Sequence, residues 1–241
     1  MLLMGSSSAA KRNWDLLLYG GEGMKEVNIM VGGILDLVPL DQLQKRTQET
    51  WIGVDYGATF LLDHGIVPAI ALGDFDSTPA PLLKRLKERV GCLETFPPEK
   101  DYTDTQLGVK RAFLDYQPDR VNIYGATGGR LDQLLSNLYF PLLEEFQPYL
   151  DRIRLIDRQN EVTYYWPGEY TIKKLSEMRY LAFVGLTPVK NLTLPDEKYR
   201  LKNFSTTVPI SWSSNEFNGQ VNHFSFQAGV VAVIQSRDWT L

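Results

Sequence analysis

Along the first half of the chain, short apolar runs alternate with stretches whose apolar residues recur at helical spacing. Residues 27–31, 51–54, 69–72, 121–124 and 153–156 are largely apolar and stop at Gly32-Gly33, Asp55, Gly73-Asp74, Gly125 and Asp157. Short runs bounded by Gly and Asp suit strands buried on both faces. Between them, Val109, Ala112, Phe113 and Tyr116 recur at i, i+3, i+4, i+7, as do Leu131, Leu134, Leu135 and Leu138. That is the period of a helix with one buried face. Strands alternating with helices predict an α/β fold with a doubly wound, mostly parallel sheet. Ligands of such sheets bind beyond the carboxyl ends of the strands, where these Gly and Asp residues fall.

The pattern changes after about Arg158. Residues 161–166, 170–174, 180–184, 189–194, 221–226 and 230–235 read as strands, separated by turn signals such as Pro167-Gly168 and Asn218-Gly219. No helical period runs through them, so a C-terminal all-β sandwich domain is expected. The organisation predicted is a loosely held extension over 1–23, an α/β domain over 24–157 and a β-sandwich domain over 158–241.

Composition narrows the class of function. The chain has 241 residues, 44% hydrophobic and 12% aromatic, enough to bury a core. Its 25 Lys and Arg against 29 Asp and Glu give a net charge of −4. This balance excludes a general nucleic-acid binder, which needs a basic face, and is compatible with a metal site. A single cysteine, Cys92, rules out an internal disulfide and is expected to be a buried structural thiol. His64 and His223 stand in no ligand-spaced motif and read as structural. No stretch approaches the ~20 apolar residues of a membrane helix, and residues 1–23 do not read as a secretory signal. A cytoplasmic protein without a membrane partner is expected.

Three acidic or glycine-rich segments carry the candidate chemistry. In Gly73-Asp74-Phe75-Asp76-Ser77, two carboxylates follow a strand two residues apart. If the segment is extended, both face one side and repel unless a cation lies between them. In Lys100-Asp101-Tyr102-Thr103-Asp104, Thr103 and Gln106 fit a capping box at a helix start, a place that attracts anions. In residues 124–133, the turn Gly125-Ala126-Thr127-Gly128-Gly129-Arg130 leads into Leu131-Asp132-Gln133. Its glycines allow backbone N–H groups near a phosphate, and Arg130 can pair with it. Together these segments bring five carboxylates, a lysine and an arginine to one sheet edge. Oxygen ligands of that kind suit Mg²⁺ bound with substrate phosphates. Nothing resembles a Ser-His-Asp or Cys-His nucleophile, so the chemistry indicated is phosphoryl transfer.

These three segments, in this order and followed by Asn137, resemble the signature motifs of the thiamine pyrophosphokinases. Asn191-Leu192-Thr193-Leu194, Lys198-Tyr199 and Ser214-Asn215-Glu216-Phe217 are similar to that family's second domain. The resemblance runs from about Val27 to the C-terminus. It implies conversion of thiamine and ATP to thiamine diphosphate and AMP, with Mg²⁺. It also implies a homodimer whose β domains complete the partner's active site. Asp74, Asp76, Asp101 and Asp104 would hold the metal and triphosphate. Lys100, Thr103, Gly128, Gly129 and Arg130 would bind the nucleotide. Asp132 and Gln133, with Trp212, Ser214 and Asn215, would meet thiamine. The chain departs from the family pattern at Tyr56, Gln106 and Trp212. The competing expectations are pyrophosphate transfer to a hydroxymethyl pterin and a non-catalytic thiamine or nucleotide sensor.

Overall fold

The structure, a computed structural model, describes residues 23–76, 78–97 and 101–239. The expected extension and Lys100 therefore fall outside the described residues, the extension except for its last residue, Gly23. The first half forms β1 (Glu26–Met30), α1 (Leu40–Lys45), β2 (Thr50–Val54), α2 (Tyr56–Asp63), β3 (Ile70–Gly73) and α3 (Ala80–Arg89). It continues through β4 (Leu93–Thr95), α4 (Asp104–Arg111), β5 (Arg120–Tyr124), α5 (Leu131–Tyr139) and β6 (Ile153–Ile156). These six strands lie parallel in the order β6-β5-β1-β2-β3-β4, with Ile29 of β1 opposite both Ile52 and Ile123. Both faces are covered. Val109, Ala112 and Phe113 join Ile29, Val54 and Ile123 in the core of one face; Leu43, Leu61 and Trp51 pack with Met30 and Tyr124 in that of the other.

The second half is all strand: β7 (Asn160–Tyr165), β8 (Gly168–Lys173), β9 (Tyr180–Gly185), β10 (Val189–Leu194), β11 (Leu201–Thr206), β12 (Ile210–Glu216), β13 (Val221–Phe226) and β14 (Val231–Ser236). Four of these extend the parallel sheet. β7 pairs antiparallel with β6, and the ten-stranded sheet runs β12-β9-β14-β7-β6-β5-β1-β2-β3-β4 without a break. The other four make an antiparallel sheet, β11-β10-β13-β8. Side chains of both sheets interdigitate between them: Tyr165, Phe183 and Val233 from one meet Tyr170, Leu192 and Phe224 from the other. The expected α/β architecture and β-sandwich are both present.

Two local expectations are corrected. Of the stripe Leu131, Leu134, Leu135 and Leu138, Leu138 packs against the main core, but the stripe as a whole is not buried. Leu131 and Leu135 are 72% and 51% exposed, and the one residue of α5 buried outright is Asn137. Cys92 is half-buried rather than buried. It packs against the main core, and burial, helped by the nearby Glu94, pushes its thiol pKa up, which keeps it unreactive. No described helix is long and apolar enough to cross a membrane.

Candidate active site

Strand order reverses between β1 and β5, so the loops that leave their carboxyl ends diverge to opposite faces. A crevice forms at such a reversal. Here a cleft of about 930 Å³ opens there, lined by Gly32 and Gly33 after β1, Asp55 and Tyr56 after β2, Asp74 and Asp76 after β3, and residues 125–130 after β5. Asp101, Thr103, Asp104 and Gln133 line it as well, so all three motif segments meet in one cavity.

The Asp74–Asp76 segment is a turn rather than an extended strand. Phe75 adopts φ 51° and is 5% exposed, its ring buried with Ala58 and Leu86. Burial of that ring offsets the cost of left-handed backbone at a bulky residue. It also leaves both flanking carboxylates on the cleft side. Asp74 Oδ1 accepts the Asp76 N–H at 3.1 Å. On the facing wall the capping box forms as expected: Thr103 Oγ1 accepts from Gln106 N at 3.3 Å, and Gln106 Oε1 from Thr103 N at 3.0 Å. This fixes the start of α4 and with it Asp101 and Asp104. Tyr102 is held from behind, with the Lys110 ammonium 3.8 Å over its ring and Lys110 paired to Glu145 at 3.0 Å.

Gly128 and Gly129 take φ of 72° and 68°, a left-handed pair that only glycine adopts without strain. A Cβ on Gly128 would also fall 2.7 Å from Leu37 Cδ1. The pair leads to the N-terminus of α5, where Arg130 gives no side-chain cap and the Asp132 carboxylate meets the backbone N–H groups of Asp132 and Gln133. Arg130 instead binds Asp132 through two hydrogen bonds, of 3.2 and 2.5 Å. That guanidinium holds the Asp132 carboxyl below its usual range. Asp132 does not line the cleft of its own chain.

The β-domain candidates stand apart. Trp212, Ser214 and Asn215 lie on β12 and contribute nothing to the cleft of their own chain. A bulge in β12 separates Trp212, opposite Phe183, from Asn215, opposite Leu181, and places Ser214 at φ 58°. Trp212 packs its ring edge-on to Phe204 with centroids 5.6 Å apart. The Asn215 amide is already engaged: Oδ1 accepts from Tyr199 N and Glu216 N at 2.8 and 3.0 Å, and Nδ2 donates to Tyr199 O at 2.8 Å. Sequence reasoning set Asp55 at a strand end, Thr127 in the glycine-rich turn and Asn137 after the third motif, but gave none of them a role of its own. The signal for Asp55 was its place directly after a strand; its φ of 49° sets it in the cleft wall.

Residues 41–148 match the family model described as thiamin pyrophosphokinase, catalytic domain, and residues 169–231 that of thiamin pyrophosphokinase, vitamin B1 binding domain. The thiamine pyrophosphokinase of Bacillus subtilis (strain 168) is 40% identical over 219 residues, covering 89% of this chain and all of the relative. A solved thiamin pyrophosphokinase family protein from Enterococcus faecalis is 40% identical with a TM-score of 0.83, over 89% of this chain and 100% of that one. A solved protein from Lactobacillus plantarum is 49% identical with a TM-score of 0.81, over the same shares of the two chains. With both domain models in sequence and a relative matched over its full length, the chain belongs to the thiamine pyrophosphokinase family.

Proposed function

We propose that the chain transfers a pyrophosphoryl group from ATP to the hydroxyl of thiamine, giving thiamine diphosphate and AMP. The observation that carries this reading is the meeting of all three motif segments in one cleft at the sheet's reversal point. The thiamine oxygen bonds to the β-phosphorus, the bond between that phosphorus and the α-phosphate oxygen breaks, and AMP leaves with the oxygen. The chain's part is to align these atoms and exclude other geometries. The Gly128-Gly129 turn cradles phosphate oxygens, assisted by Arg130, Thr103 and Lys100. Phosphate competes with Asp132 for Arg130. Asp132, beside Gln133, is the carboxylate assigned to take the hydroxyl proton.

Asp74, Asp76, Asp101 and Asp104 offer only oxygen donors, the preference of Mg²⁺. Among the described residues no three acidic side chains close on a common point. Mg²⁺ ordinarily takes one or two carboxylates and completes its shell with phosphate and water, so this donor set fits an ion that arrives with ATP. Such an ion, when bound, offsets charge on the phosphate oxygens.

A homodimer with shared sites is part of the same reading. It is supported by the exposed stripe Leu131, Leu135 and Tyr139 on α5 beside the cleft, and by the distance in sequence and fold between Ser214 and the cleft of its own chain. Trp212 and Ser214 would then complete the thiamine pocket of the partner, and the reaction would take place in the cytoplasm. The experiment is an AMP-release assay with ATP and Mg²⁺, using thiamine in one arm and a hydroxymethyl pterin in the other. AMP is expected only with thiamine; AMP only with the pterin, or with neither, overturns the reading.

A further inference from the structure

The turn that joins β6 to β7 grips the glycine-rich loop from two sides. Thr127 carries the hydroxyl of that loop and is 8% exposed. Its Oγ1 donates to Asp157 Oδ2 at 2.6 Å, and Asp157 is 2% exposed. Asp157 is itself immobilised. Its Oδ1 accepts from Gln159 N at 2.6 Å and Asn160 N at 2.7 Å, while Asn160 Nδ2 lies 3.1 Å from both carboxylate oxygens. The next residue, Arg158, donates its N–H to Leu37 O at 2.7 Å and a guanidinium N–H to Asp36 O at 3.3 Å. Leu37 and Ile34 are the side chains against which Gly128 lies, and Ile34 also backs Gly129. The loop is thus tied at Thr127 by one residue of the turn and backed by a segment that the following residue holds.

We propose that Asp157 is a positioning residue for nucleotide binding: through Thr127 it fixes the Gly128-Gly129 backbone on the cleft wall and so sets the affinity for the ATP phosphates. The proposal rests on the phosphate-cradle reading of the preceding section. A charge-assisted hydrogen bond of this length between buried groups holds a loop far more tightly than a neutral surface contact does. The effect falls on binding rather than on the chemical step, because neither side chain needs to reach the reacting atoms. Neither family-model match extends to Asp157, which lies between residues 148 and 169.

The test compares Thr127→Val, which removes the donor, with Thr127→Ser, which keeps it. Asp157 retains its bonds from the turn in both, so the fold is expected to persist. Thr127→Val should raise KM for ATP about tenfold, the scale of one lost hydrogen bond to a charged group. KM for thiamine and kcat should stay within about twofold, and Thr127→Ser should restore KM for ATP. An unchanged KM for ATP, a fall in kcat alone, or a serine variant as impaired as the valine one overturns the proposal. Calorimetric titration with α,β-methylene ATP reads the same effect without turnover, and Thr127→Ala serves if the valine variant does not fold. Absence of AMP formation by the unsubstituted chain would defeat the function reading, while the titration would still decide this one.

Discussion

Replacing Asn215 with alanine strips the clamp that holds residue 199 against β12. Three hydrogen bonds go: those from Tyr199 N and Glu216 N to Oδ1, and that from Nδ2 to Tyr199 O. Asn215 is 3% exposed, so its own amide pays full desolvation in the folded chain, whereas Tyr199 is 59% exposed and its backbone can turn to water. About 1 kcal/mol per bond is the net scale in that situation, or ~3 kcal/mol in all. For a chain of this size each kcal/mol moves Tm by about 2–4 °C, so a fall of roughly 6–12 °C is expected. Thermal unfolding followed by fluorescence, without substrates and at fixed protein concentration, measures it. Asn215→Asp would set a buried carboxylate oxygen against Tyr199 O in place of the donor, so its fall should be at least as large. A Tm within about 1 °C of the unsubstituted chain, with a raised KM for thiamine, would refute the clamp and make Asn215 a direct ligand.

Asp74→Asn should lower turnover at least about a hundredfold, since it removes an anionic oxygen donor from the Mg²⁺ that arrives with ATP. Its Tm should hold, because an amide oxygen can still accept the Asp76 N–H; near-normal turnover at saturating Mg²⁺ and ATP would sink the assignment. Gly73→Ala would place a Cβ 1.8 Å from Asp55 Oδ1 at φ 150°, so it should displace that carboxylate and cost at least about tenfold in turnover. Unaltered activity would show that Asp55 is not needed where it stands. Glu197 is fully buried, and desolvation, with Asp196 adding repulsion and His223 opposing it, pushes its carboxyl up to about 7 from 4.5. The folded chain therefore keeps a proton that the unfolded chain releases above about 4.5; this stability is complete below that pH and lost as pH rises through about 7. Glu197→Gln should accordingly raise Tm more at pH 8 than at pH 5, and equal gains at both would contradict the titration.

What the sequence disclosed depended on whether a local rule decided the outcome. The parallel strands were legible because burial on both faces leaves an uninterrupted apolar run, and the start of α4 because Thr103 and Gln106 are a local pair. Even there the runs concealed polarity: Asn28 and Asn122 are fully buried and bonded to each other at 3.0 Å, a long-range match that no window reveals. β11 and β12 went unread because most of their residues are exposed and give no alternation. The leucines of α5 misled for the opposite reason, since an apolar stripe states that a face avoids water but not what covers it. The acidic segments announced the site through composition. Their shape, with Phe75 turned left-handed to bury its ring, is a tertiary outcome.

The unbroken ten-stranded sheet has a mechanical consequence. Two domain models divide the sequence, yet the ladder from Arg154↔Thr163 to Ile156↔Glu161 crosses the division, and the turn between them is bolted to Leu37 on one side and, through Arg237 N and Gln159 O, to the chain's last described segment on the other. A hinge at residue 158 would have to shear that ladder, so admission of substrates falls to the loops at the strand ends. A fragment severed there would carry β6 as a raw edge with its backbone groups open to any passing strand, a template for self-association rather than a free-standing catalytic half.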